Sequence, residues 1–299
     1  MIHFPVSNVE TYWWLPPLVA FCISSLTATG GVSGAFLLLP FQVSVLEFTE
    51  PAVSSTNLMY NVVANPSGVY RYWREKRMVW PLAGATLLGT LPGLFFGAII
   101  RVVYLPDPRV FKPFAGCVLG YVGYRLVKDI VSQPRQAGQP NDMASGFRVT
   151  SPKINARFLS YEFGGRSYRA STWGIFALSL VVGLVGGAYG IGGGAIIAPF
   201  LVTVFGLPVY TVAGAALLGT FVSSIAGIFI YILIGRLYLS ASAATSPDWA
   251  LGALFGVGGM FGVYVGARLQ RYVPARLING FLAACVLFIA ITYISELIR

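Results

Sequence analysis

Residues 190–199 read Gly190-Ile191-Gly192-Gly193-Gly194-Ala195-Ile196-Ile197-Ala198-Pro199, a glycine-rich interruption inside an otherwise apolar stretch from 172 to 204. Glycine in mid-helix costs up to about 1 kcal/mol relative to alanine, so this cluster predicts a helix that is broken or turned back on itself. A second interruption, Thr29-Gly30-Gly31-Val32-Ser33-Gly34, lies inside the apolar stretch from 14 to 46. A continuous helix over about 33 residues would be some 50 Å long, too long for one ordinary crossing of a hydrocarbon core of about 30 Å. Two half-helices joined by a glycine turn are therefore expected in each place.

The two interruptions belong to a duplication. Gly31 to Arg77 aligns without a gap against Gly190 to Arg236 at a constant offset of 159, with Gly31, Gly34, Pro40, Phe41, Gly68, Tyr72 and Arg77 facing Gly190, Gly193, Pro199, Phe200, Gly227, Tyr231 and Arg236. Farther on, Trp80, Gly89, Gly93 and Gly97 match Trp249, Gly258, Gly262 and Gly266 at an offset of 169, and Pro106 and Cys117 match Pro274 and Cys285 at 168. The apolar segments run at 14–46, 52–70, 79–103 and 111–130, then at 172–204, 209–234, 249–270 and 275–295. The organisation is a membrane repeat over 1–130, a polar connection over 131–171 and a second membrane repeat over 172–299.

Composition agrees with this reading. Of 299 residues, 56% are hydrophobic and 10% charged, and the mean hydropathy is +0.74, whereas a soluble domain carries about 25% charged residues. The segments do not alternate apolar and polar residues as lipid-facing strands do, so they are helices rather than a barrel. The chain is expected to be an all-α polytopic membrane protein. Its net charge of +10 reports topology, because Lys and Arg lie almost wholly in the connections, and no nucleic-acid partner is implied. If both broken segments return to their own side, the halves are inverted and 15 of the 20 Lys and Arg fall on the side of the connection 131–171. If both cross fully, the count is 14 against 6. Either way the connection is expected in the cytoplasm; the re-entrant arrangement is the one adopted. Within the connection, 157–163 and 166–170 flank Gly164-Gly165, a dipeptide suited to a tight turn, and a small β-hairpin is expected there in preference to a plain linker. No Lys or Arg precedes the first apolar stretch, so that segment is expected to be retained rather than removed as a signal peptide.

What is missing narrows the chemistry. The single histidine, His3, and the three cysteines, Cys22, Cys117 and Cys285, supply no metal motif and no disulfide framework. The matched pair Cys117 and Cys285 is expected to fill space. All ten acidic residues stand at segment ends or in connections, which disfavours a proton relay or a cation site built from buried carboxylates. No catalytic residues, metal or cofactor are expected, and the chain is not expected to be an enzyme.

Polarity without fixed charge remains, and it suits an anion. The half-helices after Gly34 and Gly194 begin with unpaired amides and a positive dipole end, and glycine allows close approach to the backbone. Asn57, Asn61 and Asn65 recur every four residues along one helix face, and their counterparts are Ala216, Thr220 and Ser224, with Ser223 beside the last. The candidate binding residues are Thr29, Gly30, Gly31, Ser33, Gly34, Asn57, Asn61, Asn65, Gly190, Gly192, Gly193, Gly194, Thr220, Ser223 and Ser224. Small residues also serve close helix packing, and asparagine also serves as glue between helices; both uses stay open. Asn and Ser oxygens with break carbonyls could hold Na⁺, so a coupling ion, proton or sodium, and the oligomeric state stay open too.

These residues resemble the sulfite exporter TauE/SafE family of membrane permeases. The resemblance rests on the Gly190–Gly194 run with Pro199 after it, its degenerate copy from Gly31 to Pro40, the stretch from Asn57 to Gly68 followed by Tyr70-Arg71-Tyr72-Trp73-Arg74, and the hairpin-like part before the second half. It implies transport of small sulfur-containing anions such as sulfite, sulfoacetate or other organosulfonates across the bacterial inner membrane. Ser33 and Ala35 stand where the second copy has Gly192 and Gly194, so the half-sites need not be equivalent. The expected function is a permease with alternating access to a midplane site between the repeats. An anion channel or, less favoured, a non-transporting membrane partner protein are the alternatives.

Overall fold

A computed structural model describes residues 1–29, 33–132, 149–155, 157–238, 245–269 and 275–296. Strands β1 (Ile2–Phe4) and β2 (Val9–Thr11) are followed by α1 (Leu15–Thr29), α2 (Ala35–Ser44), α3 (Ala52–Arg74) and α4 (Trp80–Ile99), which continues as a π-helical turn over Ile100–Tyr104. Helix α5 (Pro108–Ser132) precedes strands β3 (Thr150–Ile154), β4 (Phe158–Phe163) and β5 (Arg166–Ser171). The rest is helical, with α6 (Thr172–Tyr189), α7 (Gly194–Phe205), α8 (Val209–Tyr238), α9 (Trp249–Leu269) and α10 (Ala275–Ser295). Both long apolar stretches are thus two helices each, with the glycine clusters between them.

Four helical stretches, Trp80–Tyr104, Thr172–Tyr189, Thr211–Leu237 and Trp249–Gly266, are long and apolar enough to cross a membrane. Their outward residues, among them Leu88, Val181, Phe229, Leu233 and Phe261, are exposed apolar side chains, the surface that lipid tails would cover. All six tryptophans are exposed and lie at helix ends. Trp13, Trp14 and Trp249 stand near the β1–β2 hairpin, and Trp73, Trp80 and Trp173 near the second sheet, as two interfacial belts would. The chain is a multi-pass membrane protein.

Contacts at the two ends define the sides. At one end, Ser7 in the β1–β2 turn donates from its hydroxyl to Asp248 Oδ2 (2.8 Å), while Asp248 Oδ1 accepts from Leu251 N at the start of α9 (3.0 Å). The Asp248 amide donates to Thr56 Oγ1 near the start of α3 (2.9 Å). Asp248 is buried, but as a helix N-cap with every oxygen engaged it belongs to the scaffold. At the other end, Val149 N donates to Lys76 O just beyond α3 (3.3 Å), and Tyr161 of β4 shares a hydrogen bond with Thr211 near the start of α8 (2.8 Å). The start of α6 also meets the end of α7, because a Cβ added to Gly174 would stand 3.0 Å from the Phe205 ring.

The expected hairpin is one part of a larger element. β4 and β5 pair antiparallel around Gly164-Gly165, both with positive φ, and β3 adds a third strand on the far edge of β4. β3 is exposed along its whole length and contains Pro152, so it carries neither an apolar alternation nor a propensity signal. The β1–β2 hairpin was not expected at all; three-residue strands are too short to show periodicity.

Helix packing uses small residues. Added Cβ atoms on Gly89, Gly93 and Gly97 of α4 would overlap the carbonyls of Phe176, Leu180 and Leu184 in α6. Those on Gly258, Gly262 and Gly266 of α9 would overlap the carbonyls of Pro17, Phe21 and Ser25 in α1. The two sets of partners are 159 residues apart, the offset that relates the two glycine breaks. The first helix of each half therefore packs on the third segment of the other half, backbone against backbone.

Candidate functional site

The site is built where α3 and α8 run past the two breaks. Helix α3 has buried Asn57, Asn61 and Asn65 on one face. Asn57 Nδ2 donates to Ala35 O at the start of α2 (3.0 Å) and to Gly190 O at the end of α6 (2.9 Å). One side chain thereby ties both breaks together. Asn61 Nδ2 donates to Ile191 O (2.9 Å), and its Oδ1 accepts from Ser33 Oγ (3.2 Å) and at the limit of bonding distance from Asn65 Nδ2 (3.5 Å). The Ser33 hydroxyl also accepts from Ala35 N (3.4 Å), the first amide of α2.

Helix α8 supplies the other wall. Gly190 and Gly192 both take left-handed backbone (φ 81° and 73°), which costs other residues about 1–2 kcal/mol. A Cβ on Gly192 would stand 2.9 Å from Ser224 Oγ, 3.2 Å from Ser223 Oγ and 3.3 Å from Thr220 Cγ2. At Gly194 an added Cβ would overlap Ala216 O and the amide and hydroxyl of Thr220. Thr220 and Ser223 also bond back into their own helix, to Ala216 O (2.9 Å) and Thr220 O (3.2 Å). Ser224 Oγ is buried with no hydrogen-bond partner among the described residues. A buried hydroxyl with no protein partner beside a helix break can donate to a group lodged there.

Most expected site residues thus converge: Ser33, Asn57, Asn61, Gly190, Gly192, Gly193, Gly194, Thr220, Ser223 and Ser224 lie on or against the breaks, and Asn65 is joined to them only through Asn61. Gly193 packs on Thr90 and Gly183, and Gly34 on Tyr60 OH and Ser24 Oγ, so these two have the helix-packing role that small residues also serve. Thr29 ends α1; its side chain, and Gly30 and Gly31 altogether, lie outside the described residues. The amide nitrogens of Asn57 and Asn61 are both occupied by main-chain carbonyls.

Three residues escaped the sequence reading. Gln42 of α2 is fully buried, donates from Nε2 to Asn57 Oδ1 (3.3 Å) and leaves its Oε1 without a partner among the described residues. A lone glutamine in an apolar helix was the available signal. Tyr189 donates from its hydroxyl to Phe36 O (3.0 Å), a further bond between the two breaks. Arg101, at the end of the third apolar segment, is fully buried. Its guanidinium donates to Ser54 Oγ (3.3 Å), Thr49 O (3.1 Å) and Leu105 O and stacks on Phe111 at 3.8 Å. Ser54 in turn touches the Gly190 turn, where an added Cβ would stand 2.5 Å from Ser54 Cα. Of the matched cysteines expected to fill space, Cys117 is exposed on the outer surface and fills no core space, while Cys285 is half-buried.

The family described as Sulfite exporter TauE/SafE matches residues 17–293. The chain belongs to the TauE/SafE family. No curated protein and no solved structure matches it. TauE/SafE proteins are membrane transporters of sulfur anions rather than enzymes, which suits a site of uncharged donors and helix ends and implies a small anionic substrate for this one.

Proposed function

We propose that this TauE/SafE protein moves a small sulfur-containing oxyanion, such as sulfite, sulfoacetate or another organosulfonate, across the bacterial inner membrane by alternating access. The observation that carries the reading is the bridge of Asn57 and Asn61 to Ala35 O, Gly190 O and Ile191 O, which ties the start of α2 to the turn that leads into α7. The first amides of each half-helix have no acceptor within the helix and present a positive dipole end, so an oxyanion between them is bound without a fixed cation and can leave again. Ser33, Thr220, Ser223 and Ser224 would supply hydroxyls, and the asparagines would hold the breaks in register.

Alternation needs two related halves facing opposite ways. The reciprocal packing of α1 on α9 and α6 on α4, and the meeting of Gly174 with Phe205, support inverted repeats that each open with a re-entrant hairpin. The excess of Lys and Arg on the side of β3–β5 supports a cytoplasmic position for the connection 131–171.

The test is counterflow of labelled sulfite and sulfoacetate in proteoliposomes. Accelerated exchange, lost in Asn61→Leu with the protein still folded, is the expected result. Conductance far above carrier turnover without counterflow would instead make the protein an anion channel. A single cysteine at Ser167, in a background lacking Cys22, Cys117 and Cys285, should be labelled only from the cytoplasmic side.

A further inference from the structure

The outer face of the β3–β4–β5 sheet carries a second, separate feature. An open groove of about 810 Å³ is lined by Lys153, Ile154, Arg157, Phe158, Ser160 and Arg169, among others. Strand register places Lys153 opposite Ser160 and Ser160 opposite Arg169, so two cations flank a hydroxyl in one row across the sheet. The alternate residues Leu159 and Ala170 are buried on the other face, which turns this row outward. The Arg169 guanidinium lies 3.7 Å over the Phe158 ring, which holds it extended along the groove. Among the described residues none of Lys153, Arg157 and Arg169 forms an ion pair. The carboxylate of this face, Glu162, pairs with Thr150 and Ser167 one row away, towards the Gly164-Gly165 turn.

The groove also sits at a particular height. Its β3–β4 end is tied to the first residue of α6, because Thr172 donates from N to Arg157 O (3.1 Å) and from Oγ1 to Asn155 O (2.9 Å). Thr172 opens a stretch long and apolar enough to span the membrane. The next residue, Trp173, is 67% exposed, as an interfacial anchor would be. The three cations therefore stand at the level of lipid headgroups, beside exposed Ile154 and Phe158.

We propose that this groove binds the phosphate headgroup of an anionic phospholipid, with Lys153, Arg157 and Arg169 neutralising the phosphate, Ser160 donating to it, and Ile154 and Phe158 lying against the glycerol and upper acyl chain. The choice of leaflet rests on the cytoplasmic placement proposed above. The binding itself does not depend on what the protein transports.

The test uses the full-length purified protein in neutral detergent, titrated with phosphatidylglycerol, phosphatidylcholine or inorganic phosphate while thermal stability is followed; binding to the folded state raises it. Phosphatidylglycerol should stabilise the wild type more than phosphatidylcholine does. The triple variant Lys153→Gln, Arg157→Gln, Arg169→Gln should shift the half-effective lipid concentration upward by roughly 100-fold, from the usual contribution of each basic residue near an anionic surface. A charge-matched control, Arg74→Gln, Lys128→Gln, Arg166→Gln, should retain the wild-type response. Equal stabilisation by both lipids, or an equal response in the groove variant, would overturn the proposal. So would equal weakening in the control, which would mean a diffuse field rather than a site. Inorganic phosphate matching phosphatidylglycerol at equal concentration would make the groove a soluble-anion site and refute the lipid assignment. Because the readout is lipid binding, loss of counterflow activity in the transport assay leaves this result unaffected.

Discussion

Replacing Asn57 by alanine should be among the most damaging single changes in the membrane region, and the structure sets the scale. The side chain is fully buried and makes three hydrogen bonds, to Ala35 O, to Gly190 O and from Gln42 Nε2. Alanine would leave Gly190 O and the Gln42 amide group without these partners, at about 1–3 kcal/mol each, and would strip from Ala35 O the bond it accepts beyond its own helix, at about 1 kcal/mol. A loss of about 4 kcal/mol follows, equivalent to a fall in Tm of about 8 °C for a chain of this size. Asn65 sets the comparison. It lies on the same face and is also buried, but makes one bond at 3.5 Å, so Asn65→Ala should lower Tm by no more than about 2 °C. Asn57→Asp keeps the shape and the acceptor but cannot donate to either carbonyl, and should behave like alanine or worse. Thermal unfolding of the four proteins in the same detergent, with anion counterflow measured in parallel, decides the matter. If Asn57→Ala unfolds within 2 °C of the wild type, or no earlier than Asn65→Ala, the bridge between the breaks is not what holds them together.

Other perturbations separate the parts of the molecule. Gly192→Ala combines a left-handed backbone position with a Cβ 2.9 Å from Ser224 Oγ; it should cost at least about 1–2 kcal/mol and abolish counterflow, and normal exchange would remove that turn from the site. Arg101→Leu leaves Thr49 O and Leu105 O unpaired and should destabilise by about 3 kcal/mol, read as a fall in thermal stability larger than that of Arg109→Leu at an exposed position. Docking of the β3–β5 sheet should be sensitive to alkali, because burial pushes the Tyr161 phenol up to about 12 against the opposing hydrogen bond with Thr211. The docked tyrosine keeps its proton while a released one loses it near pH 10, so the Tyr161 contribution is intact below pH 10 and declines towards pH 12. Protease sensitivity of the 149–171 region should rise over that window in the wild type and not in Tyr161→Phe.

The membrane class and the positions of the two breaks were legible in the sequence because both are properties of local composition. An apolar run long enough to span lipid, and a glycine cluster that interrupts it, need no knowledge of what packs where. The four stretches long and apolar enough to cross, Trp80–Tyr104, Thr172–Tyr189, Thr211–Leu237 and Trp249–Gly266, coincide with four of the expected segments. The asparagine line was legible for the same reason, since polar residues at a spacing of four in an apolar helix share one face. Partnership was not legible. That Asn57 reaches Gly190, 133 residues away, that Gln42 supports it, and that Arg101 is buried on the carbonyls of Thr49 and Leu105 all depend on which helices cross. Helix crossing is decided by backbone approach at Gly89, Gly93 and Gly97 and at their counterparts in α9. The short strands β1, β2 and β3 carried too few residues for a period to show, and they exist because partners and helix ends pair with them. Local composition determined where the chain enters lipid and where its helices break; only the tertiary structure decided which orphaned backbone groups meet, because hydrogen bonds between distant segments leave no periodic trace in the sequence.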